Sequence, residues 1–205
     1  GGVEGSDAGR VVILGAGHAG SHALSAAVAL GAHVDVLDLN DVRLAELKQL
    51  YPTIHTHLST PETVDQLCVE ADLVVGAVLL AGRRAPVVLK RDTVRKMFAG
   101  SVIVDIAIDQ GGCVEGIRVT SSEELCYRQD EVIHSAVPNM PAAVPRTASQ
   151  SLSSAILPYV RALASQQAAL ASSTEPMAQA LYQARAIAGG EVVDAVLQGE
   201  FEACS

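Results

Sequence analysis

Short apolar runs alternate with stretches of helical spacing over the first half of the chain. Arg10-Val11-Val12-Ile13-Leu14 has no polar alternation and stops at Gly15, the pattern of a parallel strand buried on both faces. Residues 18–30 are rich in Ala, Ser and Leu and predict a helix that ends at Gly31. His33-Val34-Asp35-Val36-Leu37 predicts a second strand. Val42, Leu44, Leu47 and Leu50 then predict a helix over 41–50, stopped by Pro52. Thr53–Thr56 is expected as a third strand. Residues 61–70 are expected as a helix with Pro61 at its start, where a missing N–H costs nothing. Asp72–Gly76 and Ser101–Asp105 predict two more strands, with a short helix at 92–97 between them. Weaker strand signals lie near 117–120 and 132–134. Residues 147–170 predict a long helix containing Pro158, and Glu191–Leu197 a final one.

Strand and helix alternate from 10 to 105. That order predicts an α/β fold, a Rossmann-type doubly wound parallel sheet with helices on both faces.

Composition narrows the picture. Of 205 residues, 49% are hydrophobic and 18% charged, too apolar for a disordered chain. Trp is absent and aromatics are 3%, so the core must be built from aliphatic side chains. No apolar run approaches the ~20 residues of a membrane span, so no membrane partner is expected. The net charge of -9 argues against a nucleic-acid partner, because non-specific affinity for a polyanion needs a basic surface. Cys68, Cys113, Cys126 and Cys204 show no C-x-x-C spacing. They are expected as reduced thiols of a cytoplasmic protein, and no basic secretory leader is visible at Gly1–Asp7.

Gly15-Ala16-Gly17-His18-Ala19-Gly20 fits G-x-G-x-x-G, and its setting between a buried strand and a helix strengthens it. Gly15 would make the tight turn, Gly17 would let the backbone approach a pyrophosphate, and Gly20 would let helix and strand pack closely. The helix start at His18 and Ala19 then offers unpaired N–H groups and a positive dipole end. The same fingerprint wants an acid about 20 residues on, and Asp38 stands there. Its carboxylate can accept from both ribose hydroxyls and would repel a 2′-phosphate, which favours NAD over NADP. Arg43, a cation nearby, tempers that preference, and an N-cap for the next helix is the alternative role for Asp38.

Ligands of a doubly wound sheet sit beyond the carboxyl ends of its strands. Gly76–Gly82 after the fourth strand is small and apolar: a platform for a flat ring, or an ordinary buried loop. Asp109 stands before Gly111-Gly112-Cys113 at the same edge, able to bind a polar substrate group or steer a water, or simply to cap its loop. Residues 138–145 hold three prolines in eight residues, a stiff segment that could hold Asn139 at a site or merely connect two domains. His18 and His22, four apart, lack an evident third ligand, so no metal is expected. Cys113 is expected to be a small packing residue. Ser149–Ser151 lacks the setting of a nucleophilic serine.

The strings Val11–Gly17, Val36–Asn40 and Ala71–Leu79 resemble bacterial alanine dehydrogenases. More specific are Val104-Asp105-Ile106-Ala107-Ile108-Asp109-Gln110-Gly111-Gly112-Cys113 and Asn139-Met140-Pro141-Ala142-Ala143-Val144-Pro145-Arg146-Thr147. The resemblance runs from about Arg10 to Leu163. The proton-translocating transhydrogenases share the fold and are the poorer match at 104–113. What the resemblance implies is NAD-dependent conversion of L-alanine to pyruvate and ammonia, in a homo-oligomer. Gly15, Gly17, His18, Ala19, Gly20 and Asp38 would then hold the diphosphate and adenosine ribose. Arg43 and Ser59 would lie near the adenosine. Val78, Leu79 and Ile106 would contact the cofactor, Val137, Asn139 and Met140 would surround the nicotinamide, and Asp109 would be the active-site carboxylate.

The chain departs from that family in one respect. The family's substrate-gripping Arg and Lys and its acid–base His come from a segment before the glycine turn, and only nine residues precede Arg10 here. The expected organisation is therefore a linker or disordered lead at 1–9, a cofactor domain at 10–146, and a helical segment at 147–205 belonging partly to a largely missing substrate domain. The isolated chain is expected to bind NAD with little or no turnover. A non-catalytic NAD-binding fragment and a transhydrogenase domain are the alternatives.

Overall fold

The computed structural model describes residues 2–80, 82–164 and 174–203. It divides into two units, residues 1–140 and 141–205. In the first, β1 (Arg10–Leu14), α1 (His18–Ala29), β2 (His33–Asp38), α2 (Asp41–Leu50), β3 (His55–Leu58), α3 (Pro61–Val69), β4 (Leu73–Gly76), α4 (Arg91–Val94) and β5 (Val102–Asp105) follow in strict alternation. A 3₁₀ turn at Ile106–Gln110 leads to β6 (Tyr127–Gln129) and β7 (Val132–Ser135).

The seven strands form one sheet in the order β3-β2-β1-β4-β5-β7-β6. All neighbours are parallel except β6, which pairs antiparallel with β7. The chain winds outward from β1 through β2 to β3, then returns to start again at β4 on the other side. In folds of this kind ligands sit beyond the carboxyl ends of the strands, near the point where the strand order reverses, which here lies between β1 and β4.

The alternating side chains of each strand feed two separate cores, because successive residues point to opposite faces. Val12, Leu14, Leu37, Val74 and Ile103 pack with Val64 and Cys68 of α3 and with Val94 of α4. Val11, Ile13, Val34, Val36 and Val75 pack with Leu24 of α1 and with Leu44 and Leu47 of α2. With both faces covered, β1 needs no polar alternation. Asp35 is the polar residue buried within β2, and His57 Nε2 lies 2.7 Å from its Oδ1.

Local chemistry sets the helix boundaries. Asn40 caps α2 by accepting from the Arg43 N–H, and Thr60 caps α3 by accepting from the Thr63 N–H, with Pro61 in the first turn. Leu30 and Gly31 (φ +78°) end α1.

Three elements differ from expectation. The third strand is His55–Leu58, not Thr53–Thr56: pairing with β2 begins at Asp35 opposite His55, and Ile54 is buried from the preceding turn. Residues 117–120 form no strand. The Arg118 N–H donates to the Tyr127 hydroxyl and Thr120 exchanges bonds with Ala136, and the antiparallel partner of β7 is β6. Glu191–Leu197 is not one helix. Ile187–Ala188 (β8) and Glu191–Val192 (β9) form a hairpin turned by Gly189 and Gly190, both at positive φ. Asp194 then accepts from the N–H groups of Val196 and Leu197, so α7 (Ala195–Ala203) starts only there.

The second unit also holds α5 (Pro145–Ala164), with Pro158 inside it, and α6 (Pro176–Gln183). Residues 165–170 of the expected long helix lie outside the described residues, as does Cys204. Leu152, Ile156, Val160 and Leu163 of α5 are exposed at helical spacing. No helix among the described residues is long and apolar enough to cross a membrane.

Candidate cofactor-binding site

The end of β1 and the start of α1 meet at the three glycines, and each is glycine for a different physical reason. Gly15 has φ +104°, and a Cβ there would stand 2.6 Å from the Ala77 carbonyl oxygen. It is also the point where the loops after β1 and β4 touch, since the Ala77 N–H donates to the Leu14 carbonyl. At Gly20 a Cβ would overlap the Gly15 carbonyl oxygen at 1.8 Å, so only glycine lets α1 cross β1 this closely. Gly17 has nothing within 4 Å of its Cβ position and an ordinary φ of -67°. Packing does not require a glycine there; an open surface above the backbone does.

Gly17 is the N-cap of α1 and has no side chain with which to cap it. The first-turn N–H groups thus have no side-chain cap at Gly17, and Gly17, His18 and Ala19 are exposed. No acidic side chain occupies that turn to compete for the positive end of the helix. The arrangement suits a diphosphate.

Asp38 closes β2 beside this turn. Its Oδ2 accepts from the Ala16 N–H at 2.6 Å and its Oδ1 from the Asn40 N–H at 2.8 Å. The N-cap role considered for it belongs to Asn40. Each carboxylate oxygen keeps a free lone pair, so Asp38 can still accept from a vicinal diol. Ser59, after β3, donates its N–H to the Asp38 carbonyl, which puts it at the same end of β2. Arg43 reaches back to the turn: its Nε donates to the Ala16 carbonyl and its Nη2 to the Ser21 hydroxyl.

Val78 and Leu79 follow β4, and Ile106 follows β5, on the same carboxyl edge. Val78 and Ile106 are partly buried against the two cores, and Leu79 is exposed. Val137 and Met140 are half-buried beyond β7. Asn139 between them has φ +50°, a left-handed conformation that Asn tolerates better than most residues. Its N–H donates to both carboxylate oxygens of Asp109, at 3.0 and 3.3 Å, tying the loop after β7 to the turn after β5. Asp109, Gln110 and Gly111 line an open cleft of about 490 Å³ with Gly82, Arg83 and Arg84.

The residue that organises this edge is one the sequence reading passed over. Asp105 is fully buried and accepts N–H bonds from Ala107, Cys113 and Val114 at 2.9, 2.8 and 3.2 Å. Burial pushes its carboxyl above the usual range, against the opposing pull of those bonds. The thiol of Cys113 is pushed up as well, first by burial and then by the Asp105 charge. Cys113 has no exposed surface and packs within the core cluster. The missed signal was an Asp at a strand's last position, four residues before a second Asp and six before Gly-Gly.

Residues 1–194 match the family model described as alanine dehydrogenase/PNT, C-terminal domain. An alanine dehydrogenase from Staphylococcus saprophyticus is 47% identical over 167 residues, covering 80% of this chain and 45% of its own. Alanine dehydrogenase 2 from Staphylococcus aureus is 45% identical over 166 residues, with the same coverage. A solved L-alanine dehydrogenase superposes with a TM-score of 0.85 at 42% identity, over 100% of this chain and 56% of that one. A transhydrogenase from Sinorhizobium meliloti shares the fold, with a TM-score of 0.71 at 23% identity over 93% of this chain and 51% of that one. The chain spans about half the length of the curated relatives it matches. With its Rossmann-like sheet, its glycine turn and its Asp109 edge, this chain belongs to the alanine dehydrogenase/PNT C-terminal domain family.

Proposed function

We infer that this chain is the NAD-binding part of an NAD-dependent L-alanine dehydrogenase. The observation that carries the reading is the uncapped start of α1 at Gly17, open to a ligand, with Asp38 beside it. Main-chain N–H groups of the turn would hold the diphosphate. Asp38 would hold the adenosine ribose diol and, as an anion, disfavour a 2′-phosphate, making NAD the preferred dinucleotide. Ser59 lies at the adenosine end of this arrangement. Val78, Leu79 and Ile106 would cover the cofactor, and Val137, Asn139 and Met140 would border the nicotinamide.

When bound, the nicotinamide supplies the hydride acceptor for oxidation at the substrate Cα. Asp109 would stand near the reacting amine or the attacking water. Its bond to the Asn139 N–H would fix its orientation toward the cleft shared with Arg83 and Arg84. The whole protein would convert L-alanine and water to pyruvate and ammonia, and the reverse, with further substrate-holding groups drawn from outside this domain. Association into a homo-oligomer is part of the proposal, and the exposed apolar row of α5 supports it. A cytoplasmic setting is proposed with it. The isolated 205-residue chain is expected to bind NAD without appreciable turnover.

Calorimetric titration with NAD and NADP, on the wild-type chain and on Asp38→Ala, tests the reading. NAD should bind the more tightly, and Asp38→Ala should weaken it by ~1.5–3 kcal/mol, the worth of hydrogen bonds to a charged acceptor. Unchanged affinity would remove the ribose from Asp38, and no binding at all would remove the cofactor from the domain.

A further inference from the structure

Arg43 was first considered as a cation near the adenosine, yet every nitrogen of its guanidinium already has a protein partner. Nε donates to the Ala16 carbonyl at 3.1 Å, Nη2 to the Ser21 hydroxyl at 2.9 Å, and Nη1 to Glu46 at 2.8 Å. The Ser21 hydroxyl in turn donates to the same Ala16 carbonyl at 3.0 Å. One carbonyl oxygen, on a residue with no exposed surface, is thus held from two directions by α1 and α2.

We propose that Arg43 is a positioning residue for the diphosphate-binding peptide, acting through the Ala16 carbonyl rather than by touching the nucleotide. The proposal rests on the NAD-binding reading above.

The reason is peptide geometry. In a planar trans peptide the C=O and the N–H point in opposite directions. The Ala16 carbonyl and the Gly17 N–H belong to one such unit. Holding the carbonyl toward Arg43 and Ser21 therefore turns the Gly17 N–H the other way. That N–H has no partner among the described residues, and nothing fills the space over Gly17. The preceding peptide unit is locked independently, by the Ala16 N–H on Asp38. The segment from β2 to α2 thus fixes both peptides that flank Ala16, one through an acid and one through a base.

A fork is needed for this. A guanidinium presents several rigid donors and can hold a carbonyl and a hydroxyl together, whereas an ammonium is a point charge on a flexible stem. These bonds engage three of the five N–H groups of Arg43, one on each nitrogen.

The test separates diphosphate binding from adenosine binding. Wild type, Arg43→Met, Arg43→Lys and Ser21→Ala are titrated with NAD, ADP and adenosine, with adenosine read by competition. Arg43→Met should weaken NAD and ADP about tenfold, the worth of one hydrogen bond, and leave adenosine unchanged. Arg43→Lys should recover only part of the loss. Ser21→Ala, which keeps the charge, should weaken NAD and ADP in the same pattern, and it carries the comparison should Arg43→Met not fold. An equal loss for adenosine would make Arg43 a direct nucleoside contact and overturn the proposal. Unchanged ADP affinity in both Arg43→Met and Ser21→Ala would overturn it as well, while leaving the NAD reading standing. Failure of the wild-type chain to bind any of the three ligands would instead sink the NAD reading itself.

Discussion

Asp109 accepts the backbone N–H of Asn139 on both carboxylate oxygens, at 3.0 and 3.3 Å. Thirty positions separate them in sequence, and each was a candidate on its own for a different reason. The bond turns two candidates into one edge: the acid holds the loop that carries Asn139, and that loop in turn aims the acid.

Asp109→Ala should therefore loosen the loop after β7 without unfolding the sheet. Amide hydrogen exchange at Asn139 should speed up about tenfold, the net worth of a modest hydrogen bond. Exchange within β5 and β7 should not change. Unaltered protection at Asn139 would mean that the Pro-rich segment, not Asp109, holds the loop.

The glycines of the turn should separate into a structural pair and a functional one. Gly17→Ala meets no atom within 4 Å and should leave the thermal midpoint nearly unchanged while weakening NAD binding, because the new methyl stands where the diphosphate would approach. Gly20→Ala places a Cβ 1.8 Å from the Gly15 carbonyl and should destabilise the fold by more than ~3 kcal/mol. Melting curves beside NAD titrations distinguish the two outcomes.

Gly76, the last residue of β4, faces the Asp105–Cys113 pair. A Cβ at Gly76 would lie 2.5 Å from Cys113 Sγ and 3.1 Å from Asp105 Oδ1. Gly76→Ala should cost ~1–3 kcal/mol of stability in denaturant unfolding. Adding Cys113→Ala removes the closer atom and should recover part of that loss. A double-mutant cycle with no coupling would place the cost in the backbone instead.

His134 should make the domain acid-sensitive. It is buried on β7, stacked on Tyr127 at 5.1 Å between ring centres, and neither ring nitrogen has a partner among the described residues. Burial pushes its pKa below the ordinary value, so the native state prefers the neutral ring. The unfolded chain then binds more protons than the native one around and below pH ~6.5. The stability contributed by the neutral ring is complete above that pH and is lost progressively as the pH falls below it. Unfolding in urea from pH 7.5 down to 5 should show this loss, and His134→Phe should flatten it. A wild-type profile equally steep in His134→Phe would assign the effect to other groups.

Much of the cofactor edge was legible in one dimension because its signals are local. An unbroken Val/Ile/Leu run marks a strand covered on both faces, and Gly-x-Gly-x-x-Gly marks a sharp turn into a helix. The 41–50 helix was legible to the residue from its apolar spacing and from Pro52, although its cap is Asn40 and not Asp38. Edges were legible less well. β3 has a neighbour only on β2, so its start depends on where that neighbour offers hydrogen bonds. A strand expected near 117–120 did not form and β6 at 127–129 was not foreseen, because both segments are short and only the tertiary pairing with β7 chooses between them.

The order of residue types along the chain was enough for the α/β alternation, the glycine turn and the acid at the end of β2, because strand burial, turn strain and helix starts are decided by neighbours in sequence. Only the folded arrangement decided that Asp38 grips Ala16, that Arg43 and Ser21 share one carbonyl, that Asp105 gathers the N–H groups of three other residues, and that Asp109 holds Asn139. Each of these joins a side chain to a backbone group whose direction is set by how strands and helices pack, and no local pattern encodes that direction.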